Sequence, residues 1–241
     1  MIKWYLDTWW TIIARPIYFY AKLKEESWKE KALTFFMTSA WILAASSALA
    51  VFVLQYIPIG STLVEGIAGI KFLIILPVLI TLALVFFVIT ALILGGVFIA
   101  AFGIMFYLTS FTLHYLCLLW EGKSKAAFAV PMKSGMNHML QGLFYSSAAI
   151  LAFLFPVLFA VMTKFNVLDF KLFRVGYNLV YCFTLLYTYG LWAVAVRSVY
   201  RVPKWKAFTA ALLPIGLLLI FGALFDKIAL PRLETWITPL K

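Results

Sequence analysis

Three residues near the end of a long apolar run have side chains that could bind a metal ion. His114, Cys117 and Glu121 are spaced three and four residues apart, so a helix would bring them to one face. With Asn137 or His138 from the next segment they could form a zinc site, because zinc prefers nitrogen and sulfur ligands. The other interpretation, which we prefer, has His114 hydrogen-bonded to a neighbouring helix and Glu121 solvated at a membrane interface. We therefore predict no catalytic residue, no cofactor and no metal site.

The sequence lacks the usual short motifs of enzymes. It has no Gly-rich phosphate loop and no H-E-x-x-H, C-x-x-C or G-x-S-x-G motif. Cys117 and Cys182 both lie inside apolar runs, where we expect small core residues rather than a disulfide. No Asp, Glu or Lys lies near the centre of an apolar run, although a proton-coupled transporter usually has one there. We expect a protein that is not an enzyme.

The amino-acid composition indicates that the protein is surrounded by lipid and not by water. Of the 241 residues, 65% are hydrophobic and only 12% are charged, whereas about a quarter of the residues are charged in soluble domains. Apolar runs of about 20 residues recur, and each is long enough to cross the hydrocarbon core of a bilayer. The sequence predicts an all-α protein, a polytopic bundle of membrane helices, with the lipid bilayer as its first partner.

The number of crossings depends on one long run. The predicted spans cover residues 32–56, 72–120, 140–162, 177–196 and 207–225. As a single helix, residues 72–120 would be about 74 Å long, more than twice the hydrocarbon thickness. Gly95 and Gly96 could turn the chain there and give two spans, or the run could be one span and a buried partial segment. We expect five or six transmembrane helices, in a bundle of residues 32–226 between an N-terminal segment 1–31 and a short amphipathic tail 227–241.

The N-terminal segment combines a narrow polar stripe with many aromatic residues. Polar residues recur every fourth position from Lys3 to Arg15, and Asp7 interrupts the apolar residues, so we expect no cleavable signal peptide. A helix of this kind suits the headgroup plane of a membrane. The alternative is a helix packed on the protein's own bundle. The aromatic residues that we predict to contact the membrane surface are Trp4, Trp9 and Trp10.

The loop RSVYRVPKWK is the most basic part of the chain. Its cations are interleaved with Tyr200 and Trp205, a combination that suits an anionic membrane surface and equally an acidic patch on a protein partner. The net charge of +11 is explained by such loops, because membrane proteins collect Lys and Arg there, and we expect no nucleic-acid partner. The predicted contact residues of this loop are Arg197, Arg201, Lys204 and Lys206.

A row of small residues in the first span could allow another helix to approach closely. Ala40, Ala44 and Ala48 repeat every four residues and form a small-xxx-small seam. The seam could serve internal packing, which is the commoner case, or contact with a second copy or another membrane protein.

The distribution of Lys and Arg predicts the orientation. With five crossings, 13 of the 20 Lys and Arg residues would lie on the side of the N-terminus, and with six crossings 12 would. Because cytoplasmic loops retain positive charge, both topologies place the N-terminus in the cytoplasm.

Several segments, in order, resemble the Yip1 domain family in its bacterial form. These are RPIYFYAKLKEESWKEKALTFF, TLHYLCLLWEGKSKAAFAV, GLFYSSAAILAFLFP and YTYGLWAVAVRSVYRVPKWKAFTAALLP, which together fall within residues 15–222. The sequence departs from the family in the length of the 72–120 run, and in having Arg197 or a neighbour where a histidine often follows the fourth span.

The resemblance implies a five-helix bundle with a cytoplasmic N-terminus in a bacterial inner membrane. Eukaryotic members of the family act in vesicle traffic and contact small prenylated GTPases, but no residue here identifies that interface. We expect a non-enzymatic scaffold, assembly partner or organiser of the membrane, with a membrane protein or a second copy as partner. The alternatives are a small-solute or lipid transporter and an accessory subunit of a larger membrane complex.

Overall fold

The structure, a computed structural model, describes residues 2–24, 26–58, 60, 70–121 and 132–238. All regular secondary structure in these ranges is helical. Within the described residues, five helical stretches are long and apolar enough to cross a membrane, which indicates a multi-pass membrane protein. They are Lys31–Tyr56, Ile74–Trp120, Gly135–Lys164, Phe170–Tyr200 and Lys204–Ile228.

The N-terminal segment forms two short helices, α1 (Ile2–Ala14) and α2 (Pro16–Lys22). The break between them falls at Arg15, because Pro16 has no N–H group to continue α1 but fits the first turn of a new helix. Helix α3 (Lys31–Val51) then continues as a π-helix over Phe52–Tyr56.

The predicted seam on α3 is buried. Ala40 is 2% exposed, and Ala44 and Ala48 are 0% exposed. These alanines therefore face other parts of this chain, which leaves them no surface on which a separate subunit could dock.

Helix α4 (Ile70–Glu121) runs without a break for 52 residues. Of the two alternatives for this run, the helix therefore excludes a turn at Gly95 and Gly96, and the described residues contain five candidate spans. A turn would leave backbone groups without hydrogen bonds in an apolar stretch, whereas a helix pairs them internally. Gly95 instead leaves room for a neighbouring side chain. A Cβ atom at this position would lie 2.6 Å from the ring of Trp41, whereas a Cβ atom at Gly96 would have no atom within 4 Å.

The third candidate span changes helix type along its length. It consists of α5 (Met132–Ser146), a 3₁₀-helix (Ser147–Phe153) and α6 (Leu154–Lys164). The hydroxyls of Ser146 and Ser147 donate to the carbonyls of Leu143 and Phe144, each at 2.6 Å, and such bonds compete with the α-helical pattern. Pro156 then falls in the first turn of α6, where its missing N–H costs least. The change to 3₁₀ geometry therefore lies just before this proline.

The last helices are α7 (Phe170–Tyr200), α8 (Lys204–Ile228) and α9 (Leu230–Ile237). Helix α8 is continuous through Pro214. In the tail, α9 buries Leu230 and Ile237 and leaves Trp236 52% exposed, so this helix has one buried and one exposed face.

The chain forms two compact units. Unit 1 consists of Met1–Ala40, Ile99–Ala152 and Cys182–Ala223, and unit 2 of Trp41–Phe98, Phe153–Tyr181 and Leu224–Lys241. The core of unit 1 includes the fully buried Trp192, with Phe36 and Phe144 stacked at 5.1 Å between ring centroids. The core of unit 2 is a small apolar cluster made of Ala50, Leu54, Ala160, Phe173, Leu230 and Ile237.

Candidate functional site

The N-terminal helices of unit 1 are docked on its other helices. Ile12 is 0% exposed and Tyr20 is 1% exposed, so each helix contributes a fully buried side chain. The Tyr5 hydroxyl lies 2.8 Å from the Ser39 hydroxyl on α3, and the Trp9 indole N–H donates to the Ala148 carbonyl at 3.2 Å. The interpretation of α1 as a helix packed on its own bundle therefore holds for one of its faces.

Side chains of α7 complete the ends of both short helices. The last carbonyls of a helix have no partner within it. The Tyr187 hydroxyl lies 3.1 Å from the carbonyl of Ile12 and 2.7 Å from that of Ile13, near the end of α1. The Ser198 hydroxyl donates to the carbonyl of Tyr20 in α2. Because Tyr187 and Ser198 are about three helical turns apart, one face of α7 holds the C-terminal ends of both helices.

Gln141 on α5 fixes the segment that follows α2. Its amide nitrogen donates to the Lys24 carbonyl at 3.1 Å, and its amide oxygen accepts the Glu26 N–H at 3.4 Å. On the same helix, the Gly142 carbonyl accepts the hydroxyl of Tyr20 at 3.1 Å. Gln141 is 2% exposed, so this buried amide uses its donor and its acceptor on the N-terminal segment.

The predicted membrane-contact tryptophans of α1 have unequal environments. Trp10 is 64% exposed. Trp9 is half-buried and donates its N–H to the bundle, and Trp4 is half-buried with its ring 6.4 Å from that of Phe35. Trp10 is the residue of the three with most of its surface available to lipid.

Burial keeps the docked tyrosines protonated. It raises the pKa of Tyr20 well above its usual range, and the nearby Tyr187 adds to that effect. Burial also raises the pKa of Tyr5, against the opposing effect of its hydrogen bond with Ser39. The exposed Tyr18 behaves differently, because its hydrogen bond with Lys22 lowers its pKa. Only a protonated hydroxyl can donate, so Tyr20 keeps its bond to the Gly142 carbonyl at neutral pH.

His114 forms the helix-to-helix hydrogen bond that we preferred over a metal site. Its Nδ1 lies 2.7 Å from the hydroxyl of Tyr200 on α7, and that hydroxyl lies 3.4 Å from the Gly135 carbonyl. Among the residues that the structure describes, no three His, Cys, Asp or Glu side chains come close enough to hold a metal ion. The side chain of Glu121 lies outside that description.

The two cysteines are both free thiols, and their environments differ. Cys117 is 2% exposed, as expected of a core residue. Cys182 is exposed on α7, so its expected place in the core is wrong. A single apolar run does not say which face of a helix lipid covers, and this explains the error.

The predicted basic loop borders a shallow, open depression at the connection from α7 to α8. Arg197, Arg201 and Lys204 line it together with Val202 and Pro203, and its volume is about 530 Å³. Lys206 lies just outside, with its ammonium 5.6 Å from the centre of the Trp205 ring. The structure therefore brings three of the four predicted cations to one place.

Sequence reasoning missed the residues that hold the N-terminal segment. Gln141, Tyr187 and Ser198 are single polar residues in apolar surroundings, and their partners lie more than 110 positions away in the sequence. The sequence does indicate that these residues form hydrogen bonds, because a polar side chain inside an apolar helix needs a partner. It does not indicate which residue the partner is.

No protein-family model, curated protein sequence or solved structure matches this chain.

Proposed function

We propose that this chain is a non-enzymatic integral membrane protein, of the Yip1 type that its motifs resemble, that organises the membrane around it. In this proposal α1 and α2 form a wedge in the cytoplasmic leaflet of a bacterial inner membrane. The observation that carries the proposal is the division of α1 into three faces. Tyr5 and Ile12 are buried, while an apolar row and a polar row are exposed. The apolar row is Ile2, Leu6 and Trp10, and the polar row begins with Lys3 and Asp7.

The two exposed rows are suited to a membrane surface. At about 100° per residue, the row Ile2, Leu6 and Trp10 lies directly beside Lys3 and Asp7. Amphipathic helices lie in the headgroup plane with such an apolar row in the acyl region and the polar row in water. Helix α2 extends the apolar surface, because Ile17 is 65% exposed and Tyr18 is 51% exposed.

Docking on the bundle makes this segment a fixed wedge. A free amphipathic helix moves on and off the membrane in proportion to its affinity for lipid. Here Tyr187, Ser198 and Gln141 bind the backbone of residues 12–26, so the depth of α1 is set by the rest of unit 1. A wedge of fixed depth displaces lipid in one leaflet, which is a physical basis for shaping the membrane or gathering particular lipids.

The distribution of Lys and Arg supports a cytoplasmic location of α1 and α2. With five crossings, which agrees with the five candidate spans, 13 of the 20 Lys and Arg residues share the side of the N-terminus.

Adjacent positions in α1 give a matched test of the wedge. A nitroxide label is attached at Leu6→Cys or Asp7→Cys in the full chain with Cys117 and Cys182 replaced by Ser, reconstituted in phosphatidylglycerol-containing vesicles. We expect the label at 6 to be accessible to oxygen and the label at 7 to be accessible to a water-soluble nickel complex. Equal access of the nickel complex to both labels would reject the wedge.

The link from wedge to membrane organisation needs a second measurement. We expect the reconstituted protein to gather in highly curved vesicles, and Leu6→Asp with Trp10→Asp to abolish that preference. The control is Asp7→Asn, on the polar row. If the control and the double variant behave alike, the proposed organising role of the apolar row is wrong.

A second candidate, an accessory subunit of a membrane complex, is favoured by the surface of α4. Residues Ile74–Trp120 span about 70 Å at 1.5 Å per residue, and only 6% of their most apolar window is buried. A bilayer core of about 30 Å covers less than half of that length, and a protein partner could cover the remainder. Extraction in a lipid-preserving polymer, followed by mass spectrometry, tests this. A stoichiometric protein partner supports the subunit, whereas a lone chain with one enriched small molecule favours transport.

A further inference from the structure

We propose that Arg197, Arg201 and Lys204 form a binding site for the phosphate of an anionic phospholipid headgroup. The three cations line one open depression of about 530 Å³, with the buried Val202 and with Pro203 as its apolar part. The inference rests on the proposed function in one respect, namely that residues 197–206 face a membrane surface. It goes further because it assigns one bound phosphate to three named cations, whereas a diffuse positive surface attracts anions without a fixed position.

The backbone explains why three cations so close in sequence face one space. Helix α7 ends at Tyr200 and α8 begins at Lys204, so three residues reverse the chain. Arg201 has φ 51°, in the left-handed region that non-glycine residues rarely adopt. This conformation turns the chain so that Arg197, in the last turn of α7, and Lys204, the first residue of α8, line the same depression.

The start of α8 adds to the positive potential. The first N–H groups of a helix have no acceptor within it, and the positive end of the helix dipole lies there. The Ala207 N–H is already bonded to the Pro203 carbonyl at 3.2 Å, so the amides of Lys204, Trp205 and Lys206 precede the internal pattern. The carbonyl end of α7 has the opposite sign, but Arg197 lies in that last turn and offsets it.

No carboxylate neutralises these cations in the part of the chain that the structure describes. The ion pairs found there join Lys31 to Glu26 and Arg174 to Asp226. Arg197, Arg201 and Lys204 are exposed and take part in neither pair. Three neighbouring positive charges repel one another, and an anion among them removes that repulsion.

The flanking aromatic residues favour a lipid as the source of the phosphate. Trp205 is 65% exposed, and its ring centre lies 6.3 Å from that of Trp120. Tryptophan rings prefer the depth of the headgroups, where they are partly in water and partly in lipid. A phosphate beside them is therefore at the level of a phospholipid headgroup, with acyl chains able to lie against the exposed rings.

Binding of phosphatidylglycerol to the full chain, measured by native mass spectrometry against phosphatidylcholine, tests the site. We expect one tightly bound phosphatidylglycerol per chain. The triple variant Arg197→Gln, Arg201→Gln, Lys204→Gln should bind it about 100-fold more weakly, since each cation that contacts the bound phosphate contributes about fivefold. The control, Lys3→Gln, Lys24→Gln, Lys29→Gln, removes the same charge from the N-terminal segment and should change binding by less than about threefold.

A second pair of variants avoids any doubt about folding. Arg201→Gly removes one cation and suits the left-handed backbone, so the fold is retained and binding falls about fivefold. Asn166→Gly is the matched control, because Asn166 is also left-handed, with φ 58°, and lies outside the depression. It should leave binding unchanged.

Three outcomes would overturn the site. If both triple variants weaken binding equally, the attraction is diffuse, and the site is wrong while the wedge stands. If inorganic phosphate binds the same three cations more tightly than phosphatidylglycerol does, the ligand is a soluble phosphate and not a lipid. If phosphatidylglycerol shows no preference over phosphatidylcholine, there is no site. The nitroxide depths at positions 6 and 7 report separately whether the proposed function has failed.

Discussion

Unit 1 and unit 2 are stabilised by different interactions. In unit 1, polar side chains inside apolar helices bind distant backbone groups, as Gln141 and Tyr187 do on the N-terminal segment. In unit 2, aromatic rings pack against a small apolar cluster, and Tyr177 is stacked on Phe173 of that cluster at 6.4 Å between ring centroids. Its hydrogen bonds from Lys164 and Arg174 come from exposed side chains.

This difference indicates that the arrangement of helices is more precisely determined in unit 1 than in unit 2. In lipid there is little hydrophobic drive between helices, so close packing and hydrogen bonds decide how they associate. A hydrogen bond from a buried side chain selects one partner, whereas apolar contact tolerates several. Both proposed functional features, the wedge and the phosphate site, belong to unit 1. This agrees with the need to hold them in fixed positions.

The largest loss of stability should come from truncating a buried side chain in the core of unit 1. Trp192 is 0% exposed, and its indole N–H donates to the Ser146 hydroxyl at 2.9 Å. We expect Trp192→Ala to lower the free energy of unfolding by about 3–5 kcal/mol, through the cavity and the lost bond. Trp205→Ala, at a position that is 65% exposed, should cost less than about 1 kcal/mol. Thermal unfolding in lipid nanodiscs measures both, and equal losses would contradict this account of the core.

The next largest effect is a difference in stability between alanine substitutions at two adjacent glycines of unit 2. Gly95→Ala places a Cβ 2.6 Å from the Trp41 ring and forces that ring to move, at a cost of about 1–2 kcal/mol. Gly96→Ala meets nothing within 4 Å and should stabilise the helix by up to about 1 kcal/mol, because alanine is the better helix former. The same unfolding measurement applies. A loss in both variants would show that this region needs glycine for flexibility, as a turn would.

These glycines also show how far the sequence could predict the fold. Hydropathy alone gave five apolar stretches, because the bilayer requires about 20 apolar residues per crossing. It could not decide between a turn and a helix at Gly95 and Gly96, since glycine allows both. The sequence also gives no sign that the ring of Trp41, more than 50 positions away, occupies the space that a side chain at Gly95 would fill.

The candidate site was predictable where its residues are close in sequence. Arg197, Arg201 and Lys204 line one depression because they surround one short connection, and their contact with a membrane surface stays a prediction. The contacts of Tyr187 and Ser198 with the N-terminal segment were not predictable, since pairing over more than 170 positions leaves no local pattern. For Trp9, the aromatic pattern predicted a membrane contact, whereas its N–H is bonded inside unit 1.

Alkaline pH should release the N-terminal segment of unit 1. Burial raises the pKa of Tyr20 above its ordinary value of 10.0. The docked state therefore favours the protonated form, so its stability is complete below pH 10 and declines as the pH rises further. The decline is up to about 1.4 kcal/mol per pH unit. Hydrogen exchange of residues 2–22 measures it, and Tyr20→Phe should remove most of the dependence. An unchanged alkaline transition in Tyr20→Phe would assign it to other groups.

A smaller effect should follow from removing one helix cap. Tyr187→Phe loses the hydroxyl that serves the carbonyls of Ile12 and Ile13, and we expect about 1 kcal/mol less protection of α1 from hydrogen exchange. The control is Tyr189→Phe, whose hydroxyl bonds the Phe208 carbonyl at 3.0 Å, away from α1. Only the first variant should expose α1. If both leave it protected, apolar packing and not the cap retains the segment.

The smallest effect should be in unit 2, at the ion pair of Arg174 and Asp226. Their side chains are 54% and 35% exposed, with 3.2 Å between nitrogen and oxygen. In water such a pair contributes less than about 1 kcal/mol and weakens with salt. We therefore expect a double-mutant cycle of Arg174→Ala and Asp226→Ala to give a coupling below about 0.5 kcal/mol at 0.15 M salt. A coupling free energy above about 2 kcal/mol that does not change with salt concentration would place the pair in hydrocarbon, where no water solvates the two charges. The described residues of unit 2 would then include a strong polar contact, and the contrast between the two units would be one of degree.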